Sequence, residues 1–198
     1  MKALLDMPTG MHTILVYPDL MTIREMYTKY VSMNGNKKTE MFVMLPFYET
    51  VDHVMINLLN QKDSLSKYNE ITHNGSVVVR DCHDILNGDF NMHRNSSTKG
   101  DTEVSKLAHF LNDTLLHSQE LGKKVVTIWI DTGAFYFNQR GYESLLSYEQ
   151  QIAAAFRNTA IKQVCLYHQK DFELRLARSQ EKQILDAHDK RLIMLNNS

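Results

Sequence analysis

The chain of 198 residues has only two cysteines, three prolines and eight glycines, and neither sign of charge dominates. Cys82 and Cys165 do not form a C-x-x-C pair, so the cysteine pattern indicates neither a zinc motif nor a redox couple, and we expect reduced, buried thiols. With 22 basic against 23 acidic residues, the chain lacks a field that would attract nucleic acid or an anionic membrane. We therefore predict no direct nucleic-acid binding.

Long hydrophobic runs are also absent. No run approaches the roughly 18 apolar residues of a membrane span, and Asp6 comes too early for the apolar region of a signal peptide. We expect a cytoplasmic protein without membrane contact. A hydrophobic fraction of 43% and a charged fraction of 23% are ordinary for a globular protein. The length fits one domain over residues 1–198, with a core from about 12 to 195.

Short apolar runs alternate with stretches of helical periodicity. The runs predict strands at 14–17, 41–45, 77–79, 125–130, 163–167 and 192–195. Thr22 and Thr50 are predicted to cap the starts of two helices. Three further helices are predicted, from the apolar stripe at 104–115 to Gly122, over 142–156 and over 179–188. Residues 87–101 are predicted to form a polar loop. Continuous apolar strands between helices are typical of parallel sheets. The predicted fold class is α/β, a three-layer α/β/α sandwich with a mostly parallel central sheet.

The first turn from strand to helix is the first place to look for a ligand, because ligands of such sheets bind beyond the carboxyl ends of the strands. The turn from Tyr17 to Thr22 has neither the glycines nor the lysine of a phosphate-binding loop, and Asp19 stands where an anion would bind. Nucleotide binding by a P-loop is therefore not expected. In a simpler interpretation, Asp19 only helps to begin the helix.

Two later strand ends offer further candidates. Asp131 and Thr132 precede a glycine and several aromatic residues, which is consistent with a mixed polar and aromatic pocket wall. The alternative is that Asp131 caps a turn and the aromatic residues are core. At the next strand end, Cys165 lies within an apolar run before Tyr167, and we interpret it as a packing residue rather than a nucleophile.

Nine histidines raise the question of a metal site. His109, Asp113 and His117 follow one another at intervals of four residues, which is compatible with metal binding from one helix. They lie opposite the apolar stripe of that helix, however, so a solvated face is the favoured interpretation. The G-x-S-x-G motif of a nucleophile elbow is absent as well. We therefore predict no metal, no cofactor and no catalytic residues.

Four strings together resemble a known family, the MEDS (methanogen/methylotroph sensory) domain. His12–Tyr17 is similar to its opening strand, and Gly141–Glu149 resembles its helix string G-W/Y-E-x-L-L-x-Y-E. Cys165–Phe172 resembles its C-x-Y-x-x-x-x-F string, and Ala187–Ile193 is similar to archaeal versions. The resemblance covers about residues 12–195. It departs at Asp131–Gly133, where the family often has a Gly-Glu pair, so the ligand's identity does not carry over.

The resemblance implies a RecA/KaiC-like fold without a P-loop and a non-enzymatic sensory function in signal transduction. The family is proposed to bind small organic molecules and is usually coupled to histidine kinases or transcription regulators. Because the sensory unit takes up nearly all of this chain, we expect it to signal to such a partner in trans or through a homo-oligomer. The candidate ligand-binding residues are Tyr17, Asp19, Asp131, Thr132, Tyr148, Glu149 and Tyr167. Two alternatives stay open: a nucleotide-binding ATPase with a non-standard phosphate site, and a structural oligomerisation module.

Overall fold

The computed structural model describes residues 1–34, 39–59, 75–87, 103–137 and 141–194. The strands are β1 (His12–Tyr17), β2 (Glu40–Leu45), β3 (Val77–Val79), β4 (Val125–Asp131), β5 (Ile161–His168) and β6 (Lys190–Ile193). The helices are α1 (Lys2–Leu5), α2 (Leu20–Asn34), α3 (Val51–Leu59), α4 (Cys82–Asn87), α5 (Glu103–Glu120), α6 (Gly133–Phe137), α7 (Gly141–Phe156), α8 (Gln169–Arg175) and α9 (Arg178–Asp186). Among these residues, no helix is both long enough and apolar enough to span a bilayer.

The six strands form one parallel sheet in the order β3-β2-β4-β5-β1-β6. The connections after β1 and β2 run toward the β3 edge, whereas those after β3, β4 and β5 run back toward the β6 edge. Because crossovers between parallel strands are right-handed, these two sets of helices must lie on opposite faces of the sheet. This arrangement confirms the predicted three-layer α/β/α sandwich.

The two faces of the sheet bury separate cores. On one face, α1, α2 and α3 cover Leu15, Tyr17 and Trp129, and on the other, α4 to α9 cover Ile14 and Ile128. Neighbouring residues of one strand therefore belong to different cores, as the alternation of side chains along a strand requires. Strands buried on both faces explain the continuous apolar runs in the sequence.

The helix after β1 begins earlier than its sequence pattern predicts. Thr22 is not the capping residue, because α2 already begins at Leu20 and the Thr22 backbone N–H donates to Asp19 Oδ1 at 2.8 Å. Asp19 thus serves as the cap, which was the simpler interpretation of this residue. The second predicted cap is confirmed, since Thr50 Oγ1 accepts the His53 N–H at 3.2 Å.

The carboxyl-terminal elements also differ from the prediction. The polar helix predicted to reach His188 ends at Asp186, and the last strand begins at Lys190, two residues before its apolar run. Backbone pairing with β1 sets this start, because the Asp189 N–H donates to the His12 carbonyl at 2.9 Å. His188 is thereby placed in the short connection between α9 and β6. The predicted loop lies outside the described residues except for Asn87, which ends α4.

Candidate functional site

Polar and aromatic side chains gather at the carboxyl end of the sheet. We call Tyr17, Tyr48, Asp131, His168 and Asp171 the carboxyl-end cluster. Asp131 is the last residue of β4, Tyr17 ends β1 and His168 ends β5. Tyr48 lies in the connection after β2, and Asp171 lies in the first turn of α8. Parallel pairing of β1, β4 and β5 places these strand ends at the same edge of the sheet.

Asp131 is the most deeply buried acid of this cluster, with only 4% of its surface exposed. Its Oδ1 accepts the Gly133 N–H at 3.0 Å, and its Oδ2 faces the N–H groups of Phe47 and Tyr48, each at 3.4 Å. The Tyr17 hydroxyl lies 3.5 Å from the same oxygen. Burial raises the pKa of Asp131 to about 7, although these donors act in the opposite direction. The carboxyl group therefore titrates near neutral pH.

Aromatic rings surround this acid. The rings of Tyr17 and Tyr48 each lie 5.4 Å from the His168 ring, and the Tyr48 hydroxyl donates to Asp171 Oδ2. His168 Nδ1 is 3.9 Å from that same Asp171 oxygen. Burial also raises the pKa of Tyr17 far above its usual range, and the negative charge of Asp131 raises it further. Tyr17 therefore stays neutral, and its hydroxyl group can donate and accept hydrogen bonds.

A glycine allows the connection after β2 to close over this acid. A Cβ atom on Gly133 would lie 2.5 Å from Phe47 Cδ1 and 2.7 Å from Tyr48 Cε2. Any other residue would push these rings away from Asp131, since real side chains do not approach so closely. Gly133 thus has a packing reason, independent of any ligand.

Two other predicted residues of this region have structural roles. The Thr132 hydroxyl is buried and donates to the Leu166 carbonyl at 2.8 Å, which ties the end of β4 to β5. Asp19 occupies the amino terminus of α2, and the N–H groups of Thr22 and Met21 lower the pKa of its carboxyl group. The negative charge therefore already stands where a phosphate loop would hold an anion.

A second group of polar residues lies on the opposite face of the sheet, inside the core covered by α7 and α9. We call His12, Glu149, Cys165 and His188 the His–Glu–Cys cluster. Their side chains are buried, and one nitrogen, oxygen or sulfur atom from each lies within 4.8 Å of all the others. The four residues come from β1, α7, β5 and the connection between α9 and β6. The fold therefore joins four separate elements at this point.

The carboxylate of Glu149 is at the centre of the cluster. Its Oε2 lies 3.0 Å from His12 Nε2, 3.3 Å from His188 Nε2 and 3.2 Å from Cys165 Sγ. Its other oxygen, Oε1, accepts the Tyr167 hydroxyl. Burial alone would raise the pKa of Glu149, but the nearby His188 and His12 side chains lower it far below its usual range. This lowering depends on a hydrogen or a positive charge at the imidazole nitrogens that face the carboxylate.

Neighbouring groups fix both imidazole rings and the thiol. His12 Nδ1 lies 3.2 Å from the Ala187 carbonyl, and His188 Nδ1 lies 2.7 Å from the Ile184 carbonyl. The two rings stack with their centroids 4.0 Å apart. Cys165 Sγ lies 3.2 Å from His12 Nε2, and the Gln163 side-chain amide donates to the sulfur at 3.3 Å.

The structure divides the predicted ligand-binding residues between two places. Tyr17, Asp19, Asp131 and Thr132 lie at the carboxyl end, whereas Tyr148, Glu149 and Tyr167 lie at the His–Glu–Cys cluster or beside it. The predicted set does not form one pocket, because side chains on β4 and β5 alternate between the two faces of the sheet.

Sequence reasoning missed three members of the cluster: His12, Cys165 and His188. One signal was present, since Glu149 occupies a position on the apolar stripe of α7, where an acid is unfavourable without partners. Cys165 was interpreted as a packing residue, and it is buried, but it also contacts Glu149. The favoured interpretation of His109, Asp113 and His117 is confirmed, because all three are exposed on α5.

Comparisons with known proteins give no identity for the chain. A scan of protein-family models produced no match, and a search of curated proteins found no match either. The resemblance to the MEDS domain therefore stays a prediction, and function has to be argued from the geometry of the two clusters.

Proposed function

We propose that this domain is a non-enzymatic sensory or regulatory module that binds a small organic ligand at the carboxyl-end cluster. The observation that carries the proposal is Asp131, a buried carboxyl group whose pKa is raised to about 7 beside a phenol and backbone donors, with the His168 ring 5.4 Å from the Tyr17 ring. Strongly perturbed acids are concentrated at functional sites. Such a group can accept a hydrogen bond when ionised and donate one when protonated.

The position of the cluster supports this proposal. Strands β1 and β5 are neighbours in the sheet, but the connection after β1 runs toward the β3 edge and the connection after β5 runs toward the β6 edge. The connections after the neighbouring strands β2 and β4 run in opposite directions in the same way. Ligands of open parallel sheets bind in the crevices at such points. Tyr48 is half-buried, and the His168 side chain is 18% exposed, so these rings form the outer wall of the cluster. The chemistry favours a small polar compound with an apolar part, such as an alcohol or an amine.

The alternative of a nucleotide-binding ATPase has less support at the carboxyl end of the sheet. The turn after β1 lacks glycines, and Asp19 already accepts the N–H of Thr22 at the start of α2. A phosphate group at this helix would meet a carboxylate of the same sign. We therefore expect a regulatory signal rather than hydrolysis, passed to a kinase or transcription regulator in trans or through a homo-oligomer.

Thermal unfolding with a panel of probes tests the proposal. The panel contains short-chain alcohols, alkylamines, short-chain carboxylates, and ATP with magnesium. A ligand at about 100 times its Kd stabilises the folded state by about 2.7 kcal/mol, and each kcal/mol raises the Tm of a domain of this size by about 2–4 °C. We expect a clear rise in Tm with at least one organic probe and none with ATP.

Two variants locate the binding site. Asp131→Asn should abolish the rise in Tm caused by the active probe, whereas Asp113→Asn, an acid exposed on α5, should retain it. A rise in Tm with ATP and magnesium alone would favour the nucleotide alternative. If no organic probe changes the Tm, or if Asp131→Asn responds like the wild type, the proposed binding site is wrong.

A further inference from the structure

The His–Glu–Cys cluster contains an arrangement of lone pairs that hydrogen bonds do not explain. A carbonyl oxygen only accepts hydrogen bonds, so the contacts to Ala187 and Ile184 require a hydrogen on Nδ1 of both His12 and His188. In the neutral rings, each Nε2 then carries a bare lone pair. Both lone pairs face Glu149 Oε2, at 3.0 and 3.3 Å, and one hydrogen, on the carboxyl group or on one ring, can satisfy only one of these two contacts. The other Nε2 lone pair is then left against an oxygen atom with no hydrogen between them, unless a positive ion lies there.

Protonation of both rings would supply positive charge, but at a high cost. Two imidazolium rings would then stack with centroids 4.0 Å apart in a buried cluster whose four members include one carboxylate. Burying an excess charge, next to a like charge, is strongly unfavourable. His188 Nε2 is in addition a buried polar atom with no hydrogen-bond partner among the described residues. Its side chain is 0% exposed and is directed at Glu149.

We propose that His12, Glu149, Cys165 and His188 bind one zinc ion through Nε2, Oε2, Sγ and Nε2, respectively. The site lies apart from the carboxyl-end cluster and does not depend on the proposed function of that cluster. Nitrogen, oxygen and sulfur are the donors that zinc prefers in proteins, and four such ligands form a closed, structural type of site.

The distances between the donor atoms match a tetrahedral site. With bonds of about 2.0–2.3 Å from zinc to nitrogen, oxygen and sulfur, neighbouring donors lie roughly 3.3–3.6 Å apart. Four of the six separations among Glu149 Oε2, Cys165 Sγ and both Nε2 atoms are 3.0, 3.2, 3.2 and 3.3 Å, and one ligand atom from each residue lies within 4.8 Å of all the others. Adjustments of a few tenths of an ångström would therefore bring these four separations to tetrahedral values.

Charge balance favours a divalent ion. Zinc binding replaces the hydrogen on Cys165 with a bond from sulfur to metal, and the proton leaves to solvent. The resulting thiolate and the Glu149 carboxylate carry two negative charges, which neutralise the ion, while both imidazoles stay neutral.

The surroundings orient the donors, and a cleft lies near the site. The Tyr167 hydroxyl holds Glu149 Oε1, which directs Oε2 toward the other donors, and backbone carbonyls hold both Nδ1 atoms. Partners of this kind fix the ligands of known metal sites. An open cleft of about 420 Å³ lies between α7 and α9, and Ala187, the neighbour of His188, is part of its wall. The cleft thus brings solvent close to the cluster.

Metal analysis of the purified full chain tests the site. We expect about one zinc per chain by mass spectrometry, and a chelator-treated chain that recovers one equivalent of added zinc but not magnesium. Cobalt(II) added to the stripped chain should give the visible bands of a tetrahedral site and a near-ultraviolet band from thiolate to metal. Absence of stoichiometric zinc and cobalt binding would refute the proposal, as would cobalt bound without the thiolate band.

Matched variants assign the ligands. Cys165→Ser should lose the thiolate band and weaken zinc binding more than a hundredfold, whereas Cys82→Ser, which alters the other buried thiol, should keep both. Tyr167→Phe removes only a hydroxyl, so it avoids a large folding defect. It should weaken zinc binding by about 10–100-fold while the cobalt bands remain. Tyr142→Phe, which loses the exposed contact to Gln183, is its control. Equal zinc affinity in Tyr167→Phe and Tyr142→Phe would contradict the assigned role of Glu149.

Discussion

Replacing Asp131 with asparagine should change how the stability of the protein depends on pH. The carboxyl group is 4% exposed, and burial raises its pKa from the usual 3.8 to about 7. One pKa unit corresponds to about 1.4 kcal/mol. The shift therefore amounts to at most about 4 kcal/mol in the free energy of unfolding, a large share of the total for a domain of this size.

The sign of the effect follows from the direction of the shift. Because the pKa of Asp131 is higher in the folded state, the folded chain still holds a proton that the unfolded chain has released. The contribution of Asp131 to stability is therefore complete below about pH 4 and is lost as the pH rises to about 7. Glu149 acts in the opposite direction, because its pKa is lowered in the folded state and its contribution is lost as the pH falls.

Urea unfolding of the wild type and Asp131→Asn at several pH values separates these contributions. The free energy of unfolding of the variant, relative to that of the wild type, should rise by up to about 4 kcal/mol between about pH 4 and pH 8. Contributions from Glu149 are common to both proteins and cancel. Asp113→Asn should follow the wild-type curve, since Asp113 is exposed. A difference between Asp131→Asn and the wild type that stays constant with pH would refute the reasoning.

Three further substitutions test contacts around the sheet, and chemical denaturation measures the effect of each. Gly10→Ala should lower the free energy of unfolding by more than about 2 kcal/mol, because φ is +75° and the new Cβ would lie 2.0 Å from the Arg157 carbonyl oxygen. Gly122→Ala, at φ +71° with open space around it, should cost only about 1 kcal/mol, and equal losses would contradict the clash. Arg24→Gln should cost about 1–3 kcal/mol, because it leaves the buried Glu49 carboxylate without the guanidinium that lies 2.7 Å away. An unchanged stability would mean that Asn57 suffices as the partner of Glu49.

Most of the sheet could be predicted because its strands are buried on both faces. A run such as Val125–Ile130 stands out from its polar flanks, and β3 was predicted with its observed bounds. The edge strand β6 begins with two charged residues, and its residues alternate between half-buried and exposed, so only its apolar end was recognised. The short helices α1, α4, α6 and α8 have too few turns to show a helical period.

The candidate sites were harder to predict, because a sheet brings together residues that are far apart in the chain. His12 and His188 stack although 175 residues lie between them, and no local pattern records that contact. Asp131 was identified because strand ends are few and their location is known from the fold class. The His–Glu–Cys cluster lies away from those ends, so the same rule directed attention elsewhere.

Both clusters place ionisable groups at buried positions. Leu or Ile at Glu149, Cys165 and His12 would extend the core that surrounds them, and replacing buried ionic groups by well-packed apolar ones often stabilises a protein. Asp131 likewise has a raised pKa, which means that its charged form destabilises the fold at neutral pH. Packing alone gives no reason for these residues. A bound ion at one cluster and a bound organic ligand at the other would each turn an unfavourable burial into a favourable contact.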